Sequence, residues 1–331
     1  MEFVYFLIET LVKVVVVFAV VLLSVAYMTL AERKVLGHIQ VRYGPNRVGP
    51  FGLLQPIADG LKALFKEEVI PEKADKVVYV IAPMIPMICA LSIFSVIPFG
   101  ESVKVLGREV KLCIAEVDIG LLFVFAMASL GEYGIVLGGW SSYNKYGLMG
   151  ALRAAAQMVS YELALGLTVL GVLMVSGTLN LVEIVRQQIE GHWFILYQPF
   201  AFVLFLICMF AEINRTPFDM PEAESELACG FNIEYSAMKF AMFFMAEYTH
   251  LLAACSLATV LFLGGWDGPW LPPGLSWIWF VLKVAVLAFF CIWVRGTYPR
   301  LRYDQIMKFG WKVLIPLALA NVFFTGLFMS L

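Results

Sequence analysis

Charge is scarce in this sequence. Only 15% of its 331 residues are Asp, Glu, Lys or Arg, while 61% are hydrophobic, and the mean hydropathy is +0.86. Soluble domains carry about 25% charged and about 45–50% apolar residues, so a water-soluble fold is excluded. Paired cysteine is missing too: Cys89, Cys113, Cys208, Cys229, Cys255 and Cys291 are scattered, with no CxxC among them. That argues against a disulfide framework and against a zinc or iron–sulfur site held by this chain. Three histidines, His38, His192 and His250, are too far apart in sequence to suggest a metal site. There is no glycine-rich dinucleotide fingerprint and no phosphate-binding loop. A net charge of −2 offers no hold on nucleic acid. The first apolar run is too long for a cleavable signal and lacks a small-residue cleavage site. No internal repeat is visible, which counts against a transporter built from inverted halves.

What the sequence has in quantity is apolar length. Crossing a hydrocarbon core of about 30 Å takes roughly 20 apolar residues, and eight runs qualify: 3–31, 77–99, 119–140, 148–175, 194–211, 237–263, 275–294 and 313–331. The expected fold is therefore an all-α integral membrane protein, one multi-pass domain over residues 1–331 with about eight transmembrane helices. The fifth run is the shortest. Pro83 and Pro86 should kink the second or end a turn within it. Lysine and arginine set the orientation. The segments after the first, third, fifth and seventh runs carry 17 of them, and the alternate segments carry four. The positive-inside rule then puts the 32–76, 141–153, 212–236 and 295–312 segments in the cytoplasm and both termini outside.

The first inner segment is the longest. Its Gly44-Pro45-Asn46-Arg47-Val48-Gly49-Pro50 stretch is turn-forming. Residues 51–67 then place Leu54, Ile57, Ala58, Leu61, Leu64 and Phe65 at helical spacing. Such a helix is too short and too charged to span, and belongs in the membrane interface. Asp59 and Lys62 share a face, so this helix is either a plain surface anchor or the roof of a cavity with a polar edge. On the other side, residues 100–116 suggest a hairpin and 180–190 a short surface helix.

Acids concentrate where a membrane protein should avoid them. Glu132, Glu162, Glu212 and Glu247 fall inside or at the edge of apolar runs, and residues 212–235 hold six acids against one base, Arg215. A charged acid at a helix centre costs about 2.5–3.5 kcal/mol, so four unpaired ones would oppose insertion by roughly 10 kcal/mol. At 1.5 Å per residue, Glu212 lies at the inner mouth, Glu132 roughly 10–12 Å deep, Glu247 about 15 Å and Glu162 about 20 Å. No acid occupies the outer halves of the third to sixth runs. The pattern describes a half-channel from the inner face to mid-membrane. A structural alternative is that these acids pair with Lys13, Lys239 or Lys283, which could satisfy one or two of them. Tyr133, Tyr161 and Tyr248 neighbour the acids and would serve the network by bonding across helices, or would simply pack.

Four stretches carry a resemblance: Ala31-Glu-Arg-Lys-Val-Leu-Gly-His-Ile-Gln-Val-Arg-Tyr-Gly-Pro-Asn-Arg-Val-Gly, Gln55-Pro-Ile-Ala-Asp-Gly-Leu-Lys, Glu212-Ile-Asn-Arg-Thr-Pro-Phe-Asp-Met-Pro-Glu-Ala-Glu-Ser-Glu-Leu and Arg295-Gly-Thr-Tyr-Pro-Arg-Leu-Arg-Tyr-Asp-Gln. Together they resemble the H-subunit family of NADH-quinone oxidoreductase, respiratory complex I, over essentially the whole chain. The resemblance implies a membrane subunit of the bacterial inner membrane at the junction with the peripheral redox arm. It also implies ubiquinone or menaquinone as substrate, with no covalent cofactor and no metal in this chain. Quinone-chamber residues would be Glu32, Arg33, Asp59, Lys62 and Arg295. The proton path would run through Glu132, Glu162, Glu212 and Glu247, with Glu222, Glu224, Glu226 and Glu234 in the loop. Implied partners are peripheral iron–sulfur and quinone-site subunits on the cytoplasmic side, small and antiporter-like membrane subunits laterally, and membrane lipid. The nearest rival is the related subunit of a membrane-bound hydrogenase, which uses no quinone, and the intact first-loop motif favours the quinone enzyme. More distant rivals are a stand-alone proton-coupled transporter and a structural anchor for the peripheral arm.

Overall fold

With no water in the bilayer core, backbone polar groups must bond within their own segment, so apolar runs of this length become helices. A computed structural model describes the chain except Met1, Leu106, Gly107, Ala223, Leu271 and Leu331, and except the side chains at positions 2–4, 6, 104, 105, 108, 224, 225 and 273. Its elements in order are α1 (Glu2–Ile39), α2 (Gln55–Phe65), α3 (Lys76–Ile81), α4 (Met84–Ile93), β1 (Ser102–Val105), β2 (Arg108–Lys111), α5 (Gly120–Ser141), α6 (Lys145–Ser176), α7 (Leu181–Glu190), α8 (Phe194–Tyr197), α9 (Pro199–Glu212), α10 (Glu224–Leu227), α11 (Ala237–Phe262), α12 (Trp277–Thr297), α13 (Tyr303–Phe309) and α14 (Ile315–Ser330).

Among the described residues, seven helices are long and apolar enough to cross a membrane. The fifth predicted run is the exception. Its helix, α9, has 14 residues, about 21 Å, because Pro199 starts it late and α8 precedes it as a separate turn. The second run breaks as its prolines require, with α3 ending at Ile81 and α4 starting at Met84 after Pro83. The first and last helices overrun their predicted ends. α1 continues eight residues past Ala31, so Glu32 and Arg33 are helical. The final helix begins at Tyr303, and its backbone widens into a π turn over Gly310–Leu314, just ahead of Pro316. Proline removes one ladder hydrogen bond and crowds the preceding turn, and a π turn relieves both.

α6 packs against α5, α9 and α14, and α11 packs against α1, α2, α4 and α12. Glycine on α5 permits the closest approach: a Cβ at Gly134 would lie 2.3 Å from Pro86 Cδ and 2.8 Å from the Ala82 carbonyl. α5 therefore seats directly on the kink between α3 and α4, the small-residue packing that membrane helices rely on. On α1, Val21, Val25, Met28 and Glu32 form one buried stripe, while Leu11, Val15, Val20 and Leu23 face outward.

The connecting segments gather at two ends. At one end, Arg153 meets Glu226 at 2.5 Å, Asn144 Nδ2 donates to Glu234 Oε1 at 2.6 Å, the Leu301 amide donates to the Pro217 carbonyl and the Asp75 amide to that of Ser141. These contacts join the four lysine- and arginine-rich segments. At the other end, Trp193 Nε1 donates to Asp267 at 2.8 Å and the Leu121 amide donates to the Leu179 carbonyl. The β1–β2 hairpin lies among the sequence-predicted outer segments, with Ser102 opposite Lys111 and Val105 opposite Arg108. Its predicted Leu106-Gly107 turn falls outside the described residues. The 180–190 helix forms as expected, but Leu181, Val182, Ile184 and Val185 are buried. It is a wall of the core rather than a surface ornament.

Candidate functional site

Two cavities and one arginine organise the half of the fold nearest the lysine- and arginine-rich segments. The larger cavity, about 540 Å³, lies between α1, α2 and α11. Its walls are apolar along Leu22, Val25, Phe240, Phe244 and Met245. Its polar lining comprises Glu32, Arg33, Asp59, Lys62, Tyr248 and Arg295, with Thr29 and Lys66. All five predicted quinone-chamber residues thus line one space. The two readings of the amphipathic helix merge: Ile57, Leu61 and Leu64 of α2 point outward, while its Asp59–Lys62 edge faces the cavity. Asp59 accepts from Arg33 Nη1 at 2.7 Å and from Gln55 Nε2 at 3.2 Å, and Lys62 Nζ stands 3.9 Å away. The Gly44–Pro50 turns support the start of α2. At Gly52, φ is +76° and a Cβ would meet the Pro45 carbonyl at 2.1 Å, so glycine is obligatory there.

Beyond Glu32 the cavity wall closes on Arg215. α9 ends in a turn in which Asn214 takes φ +56°, a left-handed conformation that asparagine tolerates. Gln157 of α6 pins this turn by donating to the Ala211 carbonyl, Asn214 Oδ1 and the Phe218 carbonyl at 2.7–3.0 Å. Arg215 is thereby driven into the core. Its Nη1 donates to Glu32 Oε2 at 2.8 Å and its Nε to Glu247 Oε1 at 2.6 Å, and the guanidinium lies 4.2 Å from the centre of the Tyr248 ring. Arg295 pairs with the other oxygen of Glu32. Burial opposes the charge on Arg215, but Glu247 and Glu32 outweigh it and hold the guanidinium protonated well above its ordinary range.

On the far side of Glu247 lies the second cavity, about 50 Å³, lined by Glu132, Glu212, Asn214, Glu222, Glu247 and His250 together with apolar residues of α4, α5 and α11. By this measure one water needs about 10–15 Å³ and two to four polar partners, so three or more waters fit. Asn214 Nδ2 donates to both oxygens of Glu132 at 3.2 and 3.3 Å, and Ser129 Oγ donates to Glu162, which lies within electrostatic reach of Glu212 and Glu132. Glu222 accepts from Asn232 Nδ2 at 3.0 Å, and its burial, with Glu247 and Asp219 close by, pushes its carboxyl up to about 8.

The predicted proton path therefore divides. Glu132, Glu212, Glu222 and Glu247 meet in one cavity with Glu162 beside it. Glu226 and Glu234 are instead tied to Arg153 and Asn144 in the layer of lysine- and arginine-rich segments. The side chain of Glu224 falls outside the described residues. Lysine is not the partner of the buried acids. Lys13 pairs with Glu9, Lys239 with Glu68, and Lys283 donates to the carbonyls of Leu263, Gly265 and Asp267 at the opposite end. Sequence reasoning missed Arg215 as the shared base. The available signal was that it is the one cation in an acidic stretch bordering an apolar run. Tyr248 proves to be part of the network, stacked on Arg215 and lining the large cavity with Glu32. Tyr161 donates to the Ile306 carbonyl at 3.2 Å and acts as a packing residue, and Tyr133 faces outward. Among the described residues no group of three or more His, Cys, Asp or Glu is arranged to hold a metal ion.

Comparison with known proteins agrees across the whole chain. The family model described as NADH dehydrogenase matches residues 12–326. In Geobacter sulfurreducens, the first of the NADH-quinone oxidoreductase H subunits is 56% identical over 330 residues, covering 96% of this chain and 94% of its own. The second such H subunit of Geobacter metallireducens is also 56% identical, with coverage of 96% and 95%. The corresponding H subunit of Syntrophotalea carbinolica is 53% identical over 320 residues, covering 97% and 96%. A match of this length and identity, on a helical membrane fold, establishes that the chain belongs to the H-subunit family of NADH-quinone oxidoreductase.

Proposed function

We propose that this protein is the membrane subunit of a proton-pumping NADH:quinone oxidoreductase in which the site of quinone chemistry and the start of the proton path adjoin. The observation that carries the reading is Arg215, whose guanidinium bonds at once to Glu32 on the large cavity and to Glu247 on the glutamate cavity. A quinone with an apolar tail enters from the bilayer beneath α2, between α1 and α11. Its head group reaches the polar lining formed by Glu32, Arg33, Asp59, Lys62 and Arg295. There it takes two electrons from an iron–sulfur cluster held by a partner subunit, and two protons, and leaves as quinol. Negative charge arriving beside Glu32 competes for Arg215 and loosens its hold on Glu247. That change reaches Glu222, Glu132, Glu212 and Glu162 through the shared cavity.

The gathering of the lysine- and arginine-rich segments at one end supports an orientation with that end in the cytoplasm of a bacterial cell and both termini outside. Peripheral iron–sulfur and quinone-site subunits would dock on this inner end. Antiporter-like and small membrane subunits would flank the helices and carry the response laterally. The test uses the assembled complex in proteoliposomes with E247Q and E212Q, which keep shape and remove titration. The expected outcome is a parallel loss of quinone-linked proton pumping and coupled turnover in both. Full pumping at wild-type turnover in both variants would refute the relay.

A further inference from the structure

One titratable group at the glutamate cavity has no part in the reading above. His250 follows Glu247 by three residues on α11, so the two share a helix face. Unlike Glu247, it makes no hydrogen bond or ion pair with another described residue. A second, deeper cavity of about 30 Å³ lies on its other side, between α4, α5, α6, α9 and α11. That space is lined by apolar side chains such as Ile93, Phe125, Leu165 and Phe205, with two exceptions, Glu212 and His250. The same two residues line the glutamate cavity. They form the boundary between a polar, water-sized space and an apolar one.

We propose that His250 is a proton relay residue that takes protons from Glu212 at this boundary and passes them to the other carboxylates of the glutamate cavity. The inference rests on the proposed role of the glutamate cavity and extends it. A neutral imidazole has one bare nitrogen and one N–H, so it accepts at one position and releases at the other. The Glu212 carboxyl gives its proton to a water of the glutamate cavity, which passes one of its own to the bare nitrogen, leaving a carboxylate and an imidazolium. The imidazolium then releases the proton of its other nitrogen, through water of the glutamate cavity, to the Glu132 carboxylate, which becomes the acid. The neutral ring that remains is the opposite tautomer, and a flip of the ring resets it. The titratable groups facing His250 are Glu132 from α5, Glu212 from α9, Glu222 from the loop after α9, Glu247 from its own helix and the Cys89 thiol from α4. The deeper cavity adds none.

The test compares H250Q, H250N and H250E with E212Q, each in the assembled complex reconstituted into proteoliposomes. Coupled turnover, protons moved per quinone reduced, quinone KM and the pH profile are read together. Proton transfer by a placed side chain contributes about 10²–10⁴-fold to a step, so H250Q and H250N should slow pumping by about tenfold or more, with quinone KM unchanged. H250E, which titrates again, should recover part of the rate with an acid-shifted pH profile, which a packing role would not produce. Wild-type complex labelled with ¹⁵N-histidine should show an imidazole signal on quinone reduction that H250N lacks. H250N with wild-type pumping and pH profile beside an inactive E212Q overturns the relay at His250 alone. Wild-type behaviour in E212Q as well overturns the cavity reading beneath it.

Discussion

Replacing Arg215 with methionine gives the sharpest test of how the two cavities are held together. The guanidinium is 4% exposed and joins Glu32 at 2.8 Å to Glu247 at 2.6 Å while stacked on Tyr248. Removing one partner of a buried ion pair costs about 3–5 kcal/mol, because the other charge stays behind uncompensated. Here two carboxylates are involved, but unequally. Glu32 keeps Arg295, whereas Glu247 has no second basic partner among the described residues. The loss should therefore fall mainly on Glu247, which makes it reversible. R215M/E247Q removes the stranded charge and should recover about 0.5–3 kcal/mol, the usual size of coupling between contacting residues. E247Q alone leaves Arg215 bonded to Glu32 and should be the mildest of the three. The assay is the rate of heat inactivation of the purified complex, in which each 1.4 kcal/mol off the barrier is about tenfold. R215M should inactivate about a hundredfold faster or more, if the loss acts on the inactivation barrier, with the double variant in between. A double variant no more stable than R215M would refute the assignment of Glu247 as the stranded charge.

Three further outcomes follow from the geometry. Arg33 and Asp59 form an ion pair that is largely open to solvent and worth about 0–1 kcal/mol; R33A should leave heat stability unchanged while raising quinone KM several-fold, and an unchanged KM would remove Arg33 from the chamber. Glu222 titrates at about 8 when folded against 4.5 ordinarily, so its neutral form contributes stability that is complete below 4.5 and lost as pH rises toward 8. Wild type should accordingly lose thermal stability relative to E222Q between about pH 6 and pH 8, and parallel curves would show that Glu222 is ionised throughout. Gly230 has φ +55° and a Cβ there would fall 1.7 Å from the Pro221 carbonyl, whereas a Cβ at Gly166 meets nothing within 4 Å; G230A should sharply reduce assembled complex on a native gel, and G166A should leave it at the wild-type level.

What could be read from sequence was whatever depends on local composition. Apolar length located seven of the eight expected long apolar helices, Pro83 and Pro86 marked the break between α3 and α4, and the 51–67 spacing marked α2. Lysine and arginine counts grouped the segments that the fold brings to one end. Depth along each helix ranked the glutamates but could not say which of them face one another, because that depends on helix rotation and on the turn after α9. The fate of Arg215 turns on the left-handed Asn214 and on Gln157 reaching across from α6, which are contacts between residues 57 apart. For the same reason Glu226 and Glu234 looked equivalent to Glu222 in sequence. Only the fold separates the acid turned toward the cavity from those turned toward Arg153 and Asn144.

The buried acids around the two cavities are accommodated in two different ways, and the difference bears on which of them can move protons. Glu32 and Glu247 are held by guanidinium groups, and a charge-assisted pair favours keeping both charges in place. Glu132 and Glu162 are held by an amide and a hydroxyl, and among the described residues Glu212 has neither a basic nor a hydrogen-bonding partner. Such groups can gain or lose a proton without stranding a buried cation. On the proposed reading, Glu132, Glu212 and Glu162 carry the protons, and the Glu32–Arg215–Glu247 chain sets when they do so. Because Arg215 bonds through a single planar group to one carboxylate on each cavity, a shift of its charge-assisted bonds from Glu247 toward an anion beside Glu32 needs no movement of a helix. The coupling would then be electrostatic at its first step. A lysine at position 215 keeps the charge but lacks the fork that reaches both carboxylates. R215K should therefore retain more stability than R215M and yet lose pumping per quinone reduced. An R215K complex with wild-type coupling would mean that charge at this position suffices without the two-sided contact.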